Sequence, residues 1–196
     1  MLVLMADPEP VVHETILLND MFDAGLAHFH LRKRAFTARD MRNYVDSIRP
    51  HFRSRLSLHQ HHDLAADFGT NRLHDNTNAR LARQQFDAEM IYSTSVHNHE
   101  EYNSLPAGYA YAFFGPVFPS ISKPGYGPTG KPGVSQHGSR RTPLIAIGGI
   151  KAANCREAAG AGFDGIAVLG AVWRSSDPLN AFLTIKETWD KQDRTH

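Results

Sequence analysis

Short apolar runs in this sequence end, again and again, in residues able to hold anions or move protons. His28–Leu31 is followed by Arg32, Lys33 and Arg34, and Arg55–Leu58 by His59, Gln60, His61 and His62. Ser95, Val96, His97 and Asn98 come after Met90–Ser93, and Ser120, Ser122 and Lys123 come after Tyr109–Gly115. Two further runs end on glycine: Pro143–Ile147 leads into Gly148 and Gly149, and Gly165–Leu169 into Gly170. Main-chain N–H groups left uncovered by side chains near a helix start bind phosphate dianions. Gly148, Gly149, Leu169 and Gly170 are read together as such a cradle, whereas either glycine motif alone is equally a tight turn. Arg32, Arg34 and Lys123 form a second cationic group, suited to a pyrophosphate that must leave with its charge neutralised. Alternate strand residues face the same way, so His30 and Arg32 share a side and Lys33 points away.

The twelve histidines invite a metal reading, above all His59, His61 and His62, or His97 and His99. His61 and His62 are adjacent, and no Cys, Asp or Glu stands at a zinc-site spacing from them. Surface or capping histidines are therefore preferred to a bound zinc, with His97 kept as a group that could bond a substrate phosphate or ring. The lone cysteine, Cys155, has no partner for an internal disulfide and no activating neighbour in its helical surroundings, which fits a reducing cytoplasm.

Eight β-rich runs must position these residues: Leu2–Met5, His28–Leu31, Arg55–Leu58, Arg72–His74, Met90–Ser93, Tyr109–Gly115, Pro143–Ile147 and Gly165–Leu169. Helical stretches separate them. Leu17, Met21 and Ala24 share one face before Gly25, and Thr37 with Asp40 resembles a capping box ahead of Met41, Tyr44, Val45 and Ile48. Asp177 before Pro178 reads as the start of a last helix that packs Leu179, Phe182 and Trp189 inward. Strand and helix in alternation predict a parallel sheet, and eight strands predict a compact, single-domain (β/α)8 TIM barrel spanning 1–196. The Pro- and Gly-rich connection from Pro116 to Thr142 predicts a short or missing sixth helix, and its segment 124–138 has the composition of a lid. An open, flavodoxin-like sheet is the lesser fold. In a parallel barrel, reactive groups sit just beyond the carboxyl ends of the strands, where these polar residues fall.

Twenty-one Lys plus Arg against 20 Asp plus Glu leave a formal charge of +1, so the expected partners include neither nucleic acid nor membrane, and any anion site is local. Residues 1–5 are too short an apolar run for a signal peptide or a span, and the sequence is read as starting where the mature protein does.

Several of these motifs together resemble the thiamine phosphate synthase and TenI-like thiazole tautomerase family. The runs are His30-Leu31-Arg32-Lys33, Ser93 to Asn98, Phe114 to Lys123, Ala146 to Ile150 with Asn154, and Gly165 to Val168, in the family's order over most of the chain. The resemblance implies a reaction in which a thiazole phosphate nitrogen attacks the methylene of an aminopyrimidine pyrophosphate, giving thiamine phosphate and pyrophosphate. It implies that Arg32 and Lys123 hold the pyrophosphate, with Ser95 donating to it. Arg34 replaces a family lysine and His30 a family glutamine. Ser120 and Ser122 correspond to hydroxyl residues near the thiazole, and the Gly149 and Gly170 backbones would receive its phosphate. It also implies a magnesium cofactor and phosphorylated small-molecule partners, in a chain that could pair as a homodimer.

Departures accompany the resemblance. Where the family carries an Asn-Asp pair, one of whose residues ligates magnesium, this chain has His59 and Gln60. A second metal-ligating Asp is missing after His74, leaving Asp75 as the local carboxylate, and neutral donors serve a hard dication poorly. The tautomerase branch places its proton-transferring His where this chain has Pro116, so that chemistry would fall to His97 or His59. A tautomerase, and a non-catalytic binder of phosphorylated thiamine intermediates, stand as alternatives to the synthase.

Overall fold

The computed structural model describes residues 1–119 and 142–191. Eight parallel strands close into a barrel in chain order, sealed where Leu2, Val3 and Leu4 of the first pair with Ile166, Ala167 and Val168 of the last. The strands are β1 Leu2–Met5, β2 His28–Leu31, β3 Leu56–Leu58, β4 Arg72–Asp75, β5 Ile91–Val96, β6 Tyr109–Phe114, β7 Leu144–Ile147 and β8 Gly165–Val168. Closure excludes the open sheet. All eight sequence runs are strands, with one informative difference at β5, which continues through Thr94 and Ser95 to Val96. The hydroxyls read as loop because they are polar, but they face hydrogen-bond partners inside the protein.

Helices between the strands are short. Among the described residues they are α1 Glu14–Asp23, α2 Ala38–Asp46, α3 Ala65–Phe68, α4 Thr77–Ala82, α5 His99–Asn103, α6 Cys155–Gly160, α7 Gly170–Trp173 and α8 Pro178–Asp190. Four- to six-residue crossovers are how a barrel fits a chain of this length. Thr37 caps α2 in a reciprocal box with Asp40, and Asp177 caps α8 by accepting from Asn180 N at 3.0 Å. Gly25, at φ 93°, ends α1. The expected short or missing sixth helix and the lid segment 124–138 lie outside the described residues.

Two apolar masses result from strand alternation. The larger lies between sheet and helices and contains Leu4, Phe29, Leu31, Met41, Phe182 and Trp189 among others. The smaller fills one half of the barrel interior with Val3, Met5, Tyr111, Phe113, Ile145 and Ala167. The other half is polar. From β2 to β5 the interior receives His30, Ser57, His74 and Ser93, all buried and all hydrogen-bonded. Free Cys155 is buried at the start of α6, and burial raises its thiol pKa.

Lys33 does point away from the mouth, into the layer behind the sheet. Its ammonium lies 2.6 Å from Glu14 Oε2 and 3.1 Å from Glu9 O, and Tyr44 OH donates to Glu14 Oε1 at 3.0 Å. Burial raises the Glu14 carboxyl pKa against the opposing pull of Lys33, and pushes Tyr44 well up. Removing one partner leaves a buried charge unpaired, which costs about 3–5 kcal/mol. Lys33→Met should lose that much in urea unfolding, and adding Glu14→Leu should recover most of it.

Candidate active site

The carboxyl ends of all eight strands share one rim, and a cavity of about 500 Å³ opens there. Arg32 and Arg34 enter it from β2, His59 from the turn after β3, His74 from β4, Ser95 from β5, and Gly148 from the turn after β7. An adjoining pocket of about 400 Å³ shares Arg32, Arg34, His59, Asn76 and Thr77 and adds Gln60 and Asn78. No carboxylate lines either space among the described residues. The mouth is therefore a place for anions. Partial burial, followed by Arg34, lowers the Arg32 pKa from its high resting value.

His30, expected beside Arg32, is on that side but fully buried beneath it. Its Nδ1 lies 2.9 Å from His59 Nε2 and its Nε2 2.6 Å from Tyr111 OH. His74 pairs Nδ1 with Ser93 Oγ at 2.9 Å and Nε2 with Ser95 Oγ at 3.1 Å, and its ring stacks on His59 with centroids 4.0 Å apart. These three imidazoles come from β2, the turn after β3, and β4, three neighbours in the barrel, so residues far apart in sequence are brought together. Sequence spacing concealed the cluster: His59, His61 and His62 looked like a group, yet His61 bonds Phe36 O instead. The available signal was alternation, which turns His30 and His74 inward on their strands.

Burial disfavours the charged imidazolium, and it depresses all the interior histidines: His28 to about 4, His74 to about 3, and His30 and His59 well below their usual range. Neighbouring cations, Arg72 for His28 and Arg32 for His59 and His74, push the same way, while Asp75 opposes at His74.

Asp75, the carboxylate considered for a metal, is corrected by the fold. It alternates with His74, so it faces outward, fully buried, and is gripped by Arg83 Nε and by Arg83 Nη2 at 2.7 Å, with Tyr109 OH donating at 2.9 Å. It cannot reach the mouth. Gln60 donates to Lys33 O and stays at the pocket wall. His97 is exposed in the cavity, and its Nδ1–H donates to Gly115 O at 3.1 Å, so Nε2 is the ring nitrogen not used in that bond. Ser120, Ser122 and Lys123 lie outside the described residues.

The glycine turn after β7 is set by its neighbours. Asn154 Nδ2 donates to Gly149 O at 2.9 Å, and Asn154 Oδ1 accepts from Lys151 N at 2.8 Å. The segment after β6 crosses it, with Val117 N on Ile147 O and Phe118 N on Gly148 O. The amides of Gly149 and Gly170 have no acceptor among the described residues. Leu169 packs beside the interior apolar group, and Gly170 opens α7. A Cβ on Gly149, at φ 67°, would collide with Phe118 and with Pro119 O, whereas one on Gly170 would meet only the Arg174 side chain at 3.7 Å.

A closed parallel barrel whose carboxyl rim opens on a cavity lined, among the described residues, by cations and no carboxylate defines the class: a (β/α)8-barrel enzyme. The family described as thiamine monophosphate synthase matches residues 2–172, and the chain belongs to it. The thiamine-phosphate synthase of Streptococcus suis is 30% identical over 178 residues, covering 84% of this chain and 77% of that protein. That of Chlorobium phaeovibrioides is 32% identical over 163 residues, covering 79% and 78%. The solved thiamine phosphate pyrophosphorylase of Bacteroides thetaiotaomicron superposes with a TM-score of 0.75 at 22% identity, over 100% of this chain and 98% of that one. No helix among the described residues is long and apolar enough to cross a membrane.

Two measurements test this geometry. A histidine whose folded pKa is depressed adds stability above its unfolded pKa, near 6.5, and that stability is lost as pH falls toward the folded value. Each extra proton taken up on unfolding steepens the loss by about 1.4 kcal/mol per pH unit. In chelator-treated protein, His28→Gln should flatten the stability curve between pH 6.5 and 4 by about one proton. Separately, thermal melts should show Gly149→Ala destabilised by at least about 1 kcal/mol from its left-handed backbone alone, and Gly170→Ala unchanged.

Proposed function

We propose that this protein is a thiamine-phosphate synthase, joining an aminopyrimidine pyrophosphate to a thiazole phosphate with release of pyrophosphate. The observation that carries this reading is the paired guanidinium groups of Arg32 and Arg34 in a mouth without carboxylates among the described residues, together with Ser95 and Gly148 on the same cavity wall. The thiazole nitrogen forms a bond to the pyrimidine methylene carbon as the C–O bond to pyrophosphate breaks, and the electron pair leaves with that oxygen. Negative charge gathers on the departing group, so fixed cations there favour the transition state over the ground state. Arg32 and Arg34 supply that charge, with Ser95 as a hydroxyl donor and Lys123 as a further cation. The thiazole phosphate is assigned to the amides of Gly149 and Gly170, and Ser120 and Ser122 to the thiazole itself.

The residues present do not fit the magnesium that the family implies. A hard dication takes oxygen ligands, carboxylates above all. Asp75 is committed to Arg83 and Tyr109 on the outer side of the sheet, and the mouth offers His59, Gln60, Asn76 and Asn78 in its place.

One observation favours a second reading, thiazole tautomerisation: His97 stands in the cavity outside the histidine cluster, with Nε2 available as a base. Incubating the protein with both precursors should release pyrophosphate with and without added magnesium. Arg32→Gln should lower kcat/KM by about 10²-fold or more, the usual scale for losing a charge-stabilising donor. Release no faster than in a blank removes the synthase. Aromatisation of the thiazole carboxylate phosphate that is lost in His97→Ala would then establish the tautomerase.

A further inference from the structure

We propose that His30, His59 and His74 form a binding site for one imidazole-preferring transition-metal dication, of the zinc or cobalt type, with an open coordination position facing the mouth. One ligand atom from each of the three lies within 4.8 Å of the other two. Four-coordinate zinc, with Zn–N near 2.05 Å, needs N···N separations of roughly 3.3 Å. The His30 Nδ1 to His59 Nε2 distance, 2.9 Å, and the 4.8 Å limit bracket that value, so small ring rotations close the site. His59 must tilt off its stack on His74, and as the half-buried member on the turn after β3 it has the freedom to do so.

The surroundings assign the ligand atoms. Metal-bound histidines donate their other ring N–H to a fixed acceptor, which sets the tautomer and orients the ring. Tyr111 OH stands 2.6 Å from His30 Nε2, freeing Nδ1 for the ion. Ser93 Oγ stands 2.9 Å from His74 Nδ1, so Nε2 is the nitrogen left for the ion once it exchanges its 3.1 Å bond with Ser95 Oγ for the metal. Two of the three ligands thus already have their outer partners. Imidazole must be neutral to ligate, and two of these rings, His30 and His74, are buried with half-buried His59 beside them. Three neutral nitrogens without a carboxylate suit zinc, cobalt or nickel and not magnesium or calcium.

Three protein ligands with a fourth position open is the arrangement of a reactive rather than a structural site. Such a site carries the full double charge of the ion, with Arg32 close by, so its open position favours an anionic oxygen. That the oxygen belongs to the phosphorylated ligand rests on the synthase reading. The metal site itself does not.

Chelator-stripped protein titrated with Co²⁺ tests the site directly. Expected are one bound ion per chain by equilibrium dialysis, the intense visible bands of four-coordinate cobalt, and a raised melting temperature. His59→Ala, at the accessible corner, should remove the bands; its metal-free form should melt somewhat lower, because His30 Nδ1 loses its partner, but still in one cooperative transition. Tyr111→Phe should weaken binding by about 10- to 100-fold, the scale of an outer-partner loss, and His51→Ala, at the exposed opposite end, should change nothing. Inorganic pyrophosphate should shift the bands of the parent protein. Absence of four-coordinate bands, or equal cobalt binding by His59→Ala, overturns the site and assigns the ions to surface histidines. Cobalt bound without pyrophosphate release from the precursors would retain the site and reject the synthase, and turnover in protein that never binds cobalt would do the reverse.

Discussion

Parallel closure imposes an inside on eight strands, and the inward positions of β2 to β5 are filled here with polar groups. A buried imidazole or hydroxyl without a partner costs a few kcal/mol, so these groups must satisfy one another. With the exception of His28 Nδ1, they do so around the axis: Tyr111 of β6 spans to His30 and reaches toward Ser57 at 3.5 Å, while His74 links Ser93 and Ser95. The apolar half of the interior, led by Phe113, Met5 and Ile145, closes the other side. The floor of the mouth is consequently a hydrogen-bonded histidine surface held from below by hydrocarbon, and everything at the rim stands on it.

Charge is sorted by the same alternation. Arg32 and Arg34 fall on the mouth side of the chain leaving β2, while Lys33 between them turns back into a buried pair with Glu14. That pair anchors the start of α1 and, through Tyr44, α2 to the strand that carries the arginines. Likewise His74 joins the interior and Asp75 the outer layer, where Arg83 and Tyr109 neutralise it. Carboxylates are thereby withdrawn from the mouth. A pocket that, among the described residues, sets Arg32 and Arg34 beside histidines and no carboxylate suits a polyanion and a borderline metal better than a hard one.

The glycine turn after β7 shows how packing and chemistry can demand the same residue. Gly149 needs its bare backbone because Phe118 and Pro119 cross it, whatever its amide binds. Gly170 has no such constraint, and its room is taken up by nothing but an exposed arginine stem. Asn154 fixes the turn from below with both ends of its amide, which accounts for its place in the motif.

The sequence by itself determined the strand order, the caps at Thr37 and Asp177, the gathering of polar residues at the strands' carboxyl ends, and the shared side of His30 and Arg32. Those are local properties: period, capping geometry and alternation act within a few residues. It was also sufficient to show that the family's magnesium ligands are not matched. What only the tertiary structure decided are the contacts between strands. His30, His59 and His74 meet because parallel neighbours lie about 4.8 Å apart, whatever the distance between them in the chain. Neither the withdrawal of Asp75 nor the true length of β5 could be read locally, since a polar residue in a strand looks like a loop until the group that satisfies it, Arg83 for one and His74 for the other, is brought alongside by the fold.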